Sequence, residues 1–261
     1  PWPLVALAVG LILGLVGAYR VKMISMPQTV ALLNGFGGLA SALVGWSEIN
    51  AAGLFEHNAA MLALSIGVLT FTGSAVAAGK LAGWLVQKPV VLPGHGIIAI
   101  VLLLAMLLGL VFNLPCLVLI ASALFGVTFS IRVGGADMPI TISLLNSLSG
   151  VAGGISGIAI GDPVLVCSGG VVGASGLLLT QIMCHAMNRK LSNILLPHGG
   201  TAVGGKAPEA VATPSGAEQA SRSEDELVSA LRDAADVIIV PGYGMALAQA
   251  QGVVKRLADR F

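Results

Sequence analysis

Residues 20–38 read RVKMISMPQTVALLNGFGG, and residues 132–150 read RVGGADMPITISLLNSLSG, at a constant offset of 112. Arg20 pairs with Arg132, Pro27 with Pro139, Thr29 with Thr141, Asn34 with Asn146 and Gly38 with Gly150. An apolar chain matches itself by chance at Leu and Gly, but a shared Arg, Met-Pro and Leu-Leu-Asn is a stronger sign. The match extends over 14–45 and 126–157. The chain is therefore read as containing an internal repeat, and the character of the rest decides what kind.

Of 261 residues, 56% are hydrophobic and 10% charged, with a mean hydropathy of +0.94. A water-soluble domain carries roughly 25% charged residues, so lipid must be part of the solvent. A net charge of +1, with no basic stripe or aromatic platform, argues against a nucleic-acid partner. The 35 glycines suit close approach of helices in a membrane. Cys116, Cys167 and Cys184 lie in or beside apolar runs without metal-ligand spacing, and are expected to be buried small residues. No metal site is expected. The chain opens on Pro1 inside an apolar run without an evident signal peptide, and reads as cut at both ends.

Apolar stretches fall at about 2–18, 27–46, 58–79, 97–112, 115–131, 139–160 and 164–186. Crossing a bilayer takes about 20 residues of helix, so seven spans are expected, the fourth and fifth separated at Pro115. Alternate loops hold Arg20 and Lys22, Lys80 and Lys88, Arg132, then Arg189 and Lys190. The other loops hold Glu48, Glu56, His57 and Asp162 and no Lys or Arg. The positive-inside rule puts every basic loop, and the tail after the seventh span, on the inner face. The two repeat copies lie four spans apart and run in the same direction, which implies parallel repeats about an axis along the membrane normal. His95 and His198 are expected to be solvent-exposed in inner loops, and His185 to serve packing.

Asn34 and Asn146 each sit two turns into a span. An amide at membrane depth must find a hydrogen-bond partner or cost a few kcal/mol. It is either a polar bolt between helices or a station for water and protons, and the residues alone do not separate the two.

The expected organisation is a transmembrane domain over 1–190, a flexible linker over 191–223 rich in Gly, Ala, Pro and Ser, and a truncated nucleotide-binding start over 224–261. In the last, Ser223 and Glu226 form a capping-box helix start. Val237–Val240 then read as a strand entering the turn Pro241-Gly242-Tyr243-Gly244. Gly242 suits the tight turn of a dinucleotide fold, and Gly244 the approach of backbone to a pyrophosphate. The third position, usually Gly, is Leu247, so the spacing alone is weak. The fold class is mainly α: a polytopic helix bundle, a linker, and the first β-α unit of a Rossmann-like domain.

The stretch GYGMALAQAQ resembles the NADP(H)-binding domain of proton-translocating nicotinamide nucleotide transhydrogenases, in which the third glycine is also replaced. TFTGSAVAAGKL, GGADMP, LLNSLSG, GASG and MCHAMNRK resemble the membrane domain of the same family's β subunit, in collinear order. The resemblance covers the chain apart from the linker. It implies a redox-driven proton pump in which hydride passes between NAD(H), bound by an α subunit or fused domain, and NADP(H), bound by the complete chain. It also implies a dimer of such assemblies in a bacterial plasma membrane or mitochondrial inner membrane, with the tail on the cytoplasmic or matrix side.

By resemblance, Gly242, Tyr243, Gly244, Met245 and Ala246 match the NADP-binding turn. Asn146 with Ser175 and Gly176 matches positions implicated in the proton path. Asp137 and Arg189 lie on the inner face, where the membrane domain couples to the nucleotide domain. His57 or its neighbour Glu56 is the candidate proton-loading group, and Asn34 joins the path through the repeat. Ordinary readings stand beside these: Asp137 as a helix N-cap, Arg189 as a snorkelling anchor. The rival class is a transporter gated by a dinucleotide-binding domain without redox chemistry. The residues present are expected to insert in a membrane but, lacking the rest of the nucleotide fold and the partner, to catalyse nothing alone.

Overall fold

The computed structural model describes residues 2–50, 53–91, 94–187, 191, 238–240, 245 and 251–260. They divide into two compact units, Pro1–Gly200 and Thr201–Phe261. Among the described residues the first unit contains seven apolar helices: α1 Trp2–Arg20, α2 Met26–Ser47, α3 Leu54–Leu81, α4 His95–Val111, α5 Pro115–Ile131, α6 Met138–Ile160 and α7 Pro163–Ala186. By length and composition α2, α3, α6 and α7 can cross a membrane, whereas the apolar parts of α1, α4 and α5 are shorter.

Contacts give the directions. Along α2 and α3, Gly45 meets Ala60, Gly38 meets Gly67 and Asn34 meets Ser74, so these helices are antiparallel. Gly157 against Val166, Gly150 against Gly173 and Ser143 against Thr180 make α6 and α7 antiparallel. Ser65 pairs with Ser122 and Lys80 reaches Ile131, so α3 and α5 run together. Gly109 against Val118, with His95 bonded to the Thr128 carbonyl, makes α4 and α5 antiparallel. Finally Ser149 bonds the carbonyl of Asn34, and Ser156 that of Ser41. The repeat copies α2 and α6 therefore run parallel, as the sequence match requires, and lie side by side.

Each copy is built the same way. A 3-10 turn, Met23–Ser25 or Gly135–Asp137, precedes Met-Pro at the start of the helix. Proline fits there because its missing N–H is not needed in the first turn. Thr29 then bonds the Ser25 carbonyl and Thr141 that of Asp137, one turn back in each case. The α6–α7 corner is made by Gly161 at φ +70, a left-handed conformation that glycine adopts without strain. Asp162 follows and caps α7, its Oδ1 accepting from Val164 N at 2.9 Å and Leu165 N at 3.3 Å. The sharp α4–α5 corner puts Asn113 at φ +53, and the two helices are separate as expected.

Small residues set the closeness of the crossings. A Cβ added at Gly169 would stand 2.2 Å from Gly154 N, and one at Gly126 2.4 Å from the Leu69 carbonyl. Helices in lipid gain little from excluding water, so such contacts carry their association. Helix α3 is central, packing on α2, α5 and α6, whereas α7 packs on α6. Helix α1 is exposed along nearly its whole length.

Three expectations are corrected here. Lys80 is not a loop residue: α3 continues to Leu81 and buries it at 1% exposure. His95 is not solvent-exposed but buried at the start of α4, its Nε2 3.0 Å from the Thr128 carbonyl. Cys184 is buried, but Cys116 and Cys167 lie on the outer surface of the bundle. An apolar run does not say which of its faces meets lipid and which meets protein, so Cys in such a run is no guide to burial.

In the second unit the described residues include helix α8, Gln251–Ala258. Ile238–Val240 carry no regular element, and Met245 is helical. The expected strand is thus not seen among the described residues. The linker and the helix expected after Ser223 lie outside them, apart from helical Leu191.

Candidate functional site

A polar seam runs through the apolar interior between α2, α3 and α6. Asn34, half-buried on α2, donates from Nδ2 to Ser74 Oγ on α3 at 2.9 Å. Its Oδ1 is buried without a protein partner, as is the hydroxyl of Thr70, one turn before Ser74 on the same helix. From the other side Ser149 of α6 donates to the Asn34 carbonyl at 3.4 Å. Gly35 and Gly38 let α3 come this near: a Cβ at Gly38 would stand 2.9 Å from Thr70 Cβ. Towards the basic end, the Ser130 hydroxyl of α5 is also buried without a partner, near Gly73. Buried polar atoms normally find partners, because leaving one unpaired costs about 1–3 kcal/mol. Their concentration around α3 marks this seam as the polar feature of the bundle.

The other candidates separate from it. Asn146, the repeat partner of Asn34, faces outward from α6 and is exposed. Its neighbour Ser147 points inward instead and donates to the Gly173 carbonyl at 2.6 Å. Gly176 lies at the α6–α7 crossing, where a Cβ would be 3.0 Å from Ser147 Cα. Ser175 is exposed and bonds within its own helix, to the Val172 carbonyl at 3.2 Å. The structure thus brings Gly176 and Ser147 together, but not Asn34, Asn146 and Ser175.

His57 and Glu56 stand in the first turn of α3 at the non-basic end. Seventeen residues, about 26 Å of helix, separate His57 from Ser74. His57 Nδ1 is 2.5 Å from the Ile49 carbonyl, which can only accept, so this nitrogen donates. Its Nε2 is 2.9 Å from Asn113 Oδ1 at the α4–α5 corner. Glu56 folds back over Gly53, where a Cβ would collide with its carboxylate. It thereby sets a negative charge at the positive end of α3.

At the basic end Asp137 occupies the N-cap position of α6. Its side chain makes no cap hydrogen bond there, though the residue is not without an interaction. The side-chain cap expected of Asp137 is not seen, whereas Asp162 caps the other helix, α7. His185 is exposed on α7 rather than packed. Arg189, Gly242, Tyr243, Gly244, Ala246 and His198 lie outside the described residues; Met245 is half-buried. Among the described residues no group of His, Cys, Asp and Glu could hold a metal ion.

The sequence reading missed Thr70, Ser74 and Asn113. Ser74 and Thr70 stand in TFTGS, quoted for its resemblance but not read as the facing wall of Asn34.

Comparison with known proteins settles the family. The family described as NAD(P) transhydrogenase beta subunit matches residues 1–261. The chain belongs to that family. It is 38% identical over 293 aligned residues to the NAD(P) transhydrogenase subunit beta of Rhodospirillum rubrum, which covers 99% of this chain and 59% of that protein. A strain-designated Rhodospirillum rubrum subunit beta aligns identically. The chain thus spans 59% of the length of the curated relatives it matches. In the family setting, the repeat and the seam belong to a transhydrogenase beta subunit.

Proposed function

We propose that the complete protein is the NADP(H)-binding subunit of a proton-translocating transhydrogenase, with 1–190 as its membrane domain, 191–223 as a linker and 224–261 as the start of its nucleotide domain. In this reading the nicotinamides supply the hydride chemistry, NADP(H) on the complete chain and NAD(H) on an α subunit or fused domain. Gly242, Tyr243, Gly244, Met245 and Ala246 contact NADP(H). The chain's own membrane residues hold and pass the proton. The assembly is a homodimer in a bacterial plasma or mitochondrial inner membrane, its nucleotide domain on the basic face.

The observation that carries the proton role is the seam at Asn34. A buried amide oxygen on α2 and a buried hydroxyl on the facing α3, both without protein partners, can accept from and donate to water. Polar groups are otherwise expensive in such a place. His57 and Glu56 stand at the opposite mouth of the bundle, where an imidazole can both take up and give up a proton. Gly176 keeps α7 close to α6, and Asn146 and Ser175 face outward, towards helices of the partner. Asp137 and Arg189 transmit between membrane and nucleotide domain, and the coupling is reciprocal by linkage.

The test uses the complete chain with its NAD(H)-binding partner in sealed liposomes with an internal pH dye. NADH-to-NADP⁺ hydride transfer should accelerate on adding an uncoupler, with a matching internal pH change. Asn34→Leu should remove that response while sparing hydride exchange that needs no proton transfer. Hydride transfer indifferent to uncoupler in the wild type would remove the pump.

A further inference from the structure

Lys80, one residue from the end of α3, is 1% exposed. Its Nζ donates to the carbonyls of Ile131, of Val133 at 2.8 Å and of Lys88 at 3.5 Å. A buried amine beside a proton path invites reading as a relay. The hydrogen-bond count argues against it. An ammonium has three N–H donors, and three carbonyls receive them. A neutral amine would have two, and would turn its lone pair onto the oxygen of the third. Ile131 is the last residue of α5, where a helix leaves its last carbonyls unsatisfied and its dipole is negative, and Val133 stands in the turn just beyond it. The site is built for a fixed cation.

That cation sits at a junction. The Lys88 segment and the end of α5 lie side by side: Val90 N donates to the Ile131 carbonyl at 3.2 Å, and Gly135 N to the Gln87 carbonyl at 3.0 Å. Pro89 packs on Gly134, where a Cβ would be 3.2 Å from its Cγ. The 3-10 turn Gly135–Asp137 and the start of α6 come directly after. Met138, at that start, shares a buried cluster with Ala77, Ala78 and Leu81 of α3 and Cys184 of α7. The ends of four helices therefore meet around one charge.

We propose that Lys80 is a positioning residue. Its amine, held by three carbonyls, fastens the α3–α4 loop to the end of α5, and so fixes the turn that presents Asp137. What the turn transmits rests on the proposed function above; that Lys80 holds it does not. The neutral variant Lys80→Met keeps the stem as far as Cε, removes Nζ and leaves the carbonyls without a donor. In the complete enzyme it should lower uncoupler-sensitive hydride transfer by about 10–100-fold, the scale that a displacement near 1 Å imposes on a coupled step. Hydride exchange without proton transfer should stay near wild type.

A covalent staple supplies the decisive control. A Cβ at residue 135 would be 3.7 Å from Gln87 Cβ, within the range of about 3.5–4.5 Å for a disulfide. Gln87→Cys with Gly135→Cys, oxidised in the Lys80→Met background, should restore coupled transfer to within a few-fold of wild type, and reductant should abolish the rescue. The proposal is overturned if Lys80→Met alone couples normally. It is equally overturned if the staple closes, verified by mass, and coupling stays low, even where both activities were lost together. The rate at which the cysteine pair closes needs no activity: it should be slower in Lys80→Met than in the Lys80 background, and equal rates would refute the clamp. A wild type without uncoupler response would sink the pump and leave this last readout standing.

Discussion

Gly169→Ala is the most demanding test of how the bundle is held together. A Cβ there would stand 2.2 Å from Gly154 N, 2.5 Å from Gly154 Cα and 2.8 Å from the Gly150 carbonyl. These are backbone atoms of α6, with no rotamer to yield. Carbon atoms rest at about 3.5–4.0 Å, so α6 and α7 must part by about 1 Å or more. The gap would then lengthen the neighbouring contacts of Gly150 with Gly173 and of Gly157 with Val166. Forced overpacking costs about 1–3 kcal/mol, and in lipid no hydrophobic gain compensates the lost packing. Gly170→Ala is the matched control: one residue on, about 100° around the helix, its Cβ meets nothing within 4 Å. Both changes gain the same helix propensity, up to about 1 kcal/mol, so their difference isolates the crossing. Reversible unfolding of the complete chain in bicelles, followed by circular dichroism, should place Gly169→Ala below Gly170→Ala by about 1–3 kcal/mol. Equal stabilities would mean that the glycines do not set the crossing and that the reasoning from close approach is wrong.

Other changes probe single contacts. Asp162→Ala removes the acceptor for Val164 N and Leu165 N, and should cost about 1 kcal/mol in the same unfolding assay. His57→Ala breaks the tie from α3 to Ile49 and to the α4–α5 corner, and should cost about 1–3 kcal/mol; a smaller loss would mean these bonds are not held in the membrane. Asn146→Leu should not lower the stability of the chain, because the side chain is exposed and an amide facing hydrocarbon is itself costly. In the assembled enzyme it should lower proton-coupled turnover while sparing hydride exchange, and an equal loss of both would point to misassembly.

The helices were legible because their signals are local. Pro27, Pro115, Pro139 and Pro163 each open a helix, and the expected apolar stretches end within a few residues of the observed helix ends, though by length and composition four of these helices can cross a membrane. The repeat foretold two helices running in the same direction; that they lie side by side is a finding of the structure. Burial was not legible. In a soluble protein polar residues mark the solvent face, but a span is apolar on every side, so hydropathy cannot tell core from lipid. That is why Cys116 and Cys167 were expected inside and stand outside. Lys80 and His95 failed in the opposite way. Charge was taken as a sign of water, whereas each side chain finds main-chain carbonyls that partner it in the interior. Only the ends of neighbouring helices supply those carbonyls, and no pattern local to Lys80 or His95 announces them.

The two asparagines show how a duplicated sequence comes to do two things. Asn34 and Asn146 occupy the same place in the same motif, each two turns after a Met-Pro start. What differs is the company of the helices. Helix α3 packs on α2 and is itself enclosed by α5 and α6, so a side chain turned towards it is in the interior and Asn34 meets Ser74 there. Helix α7, the counterpart of α3, packs on α6, and the face of α6 that carries Asn146 has no such neighbour among the described residues. On that side the inward position passes to Ser147, whose hydroxyl reaches across to Gly173. An amide left facing hydrocarbon would be costly, and in the proposed assembly helices of the partner cover the Asn146 face. The proton role proposed for Asn34 can therefore be examined in the fold of this chain, while that of Asn146 requires the assembled enzyme. A comparison of the Asn34→Leu and Asn146→Leu variants should show it: the first should change the unfolding of the isolated chain, whereas the second should not lower its stability but should change the behaviour of the complex.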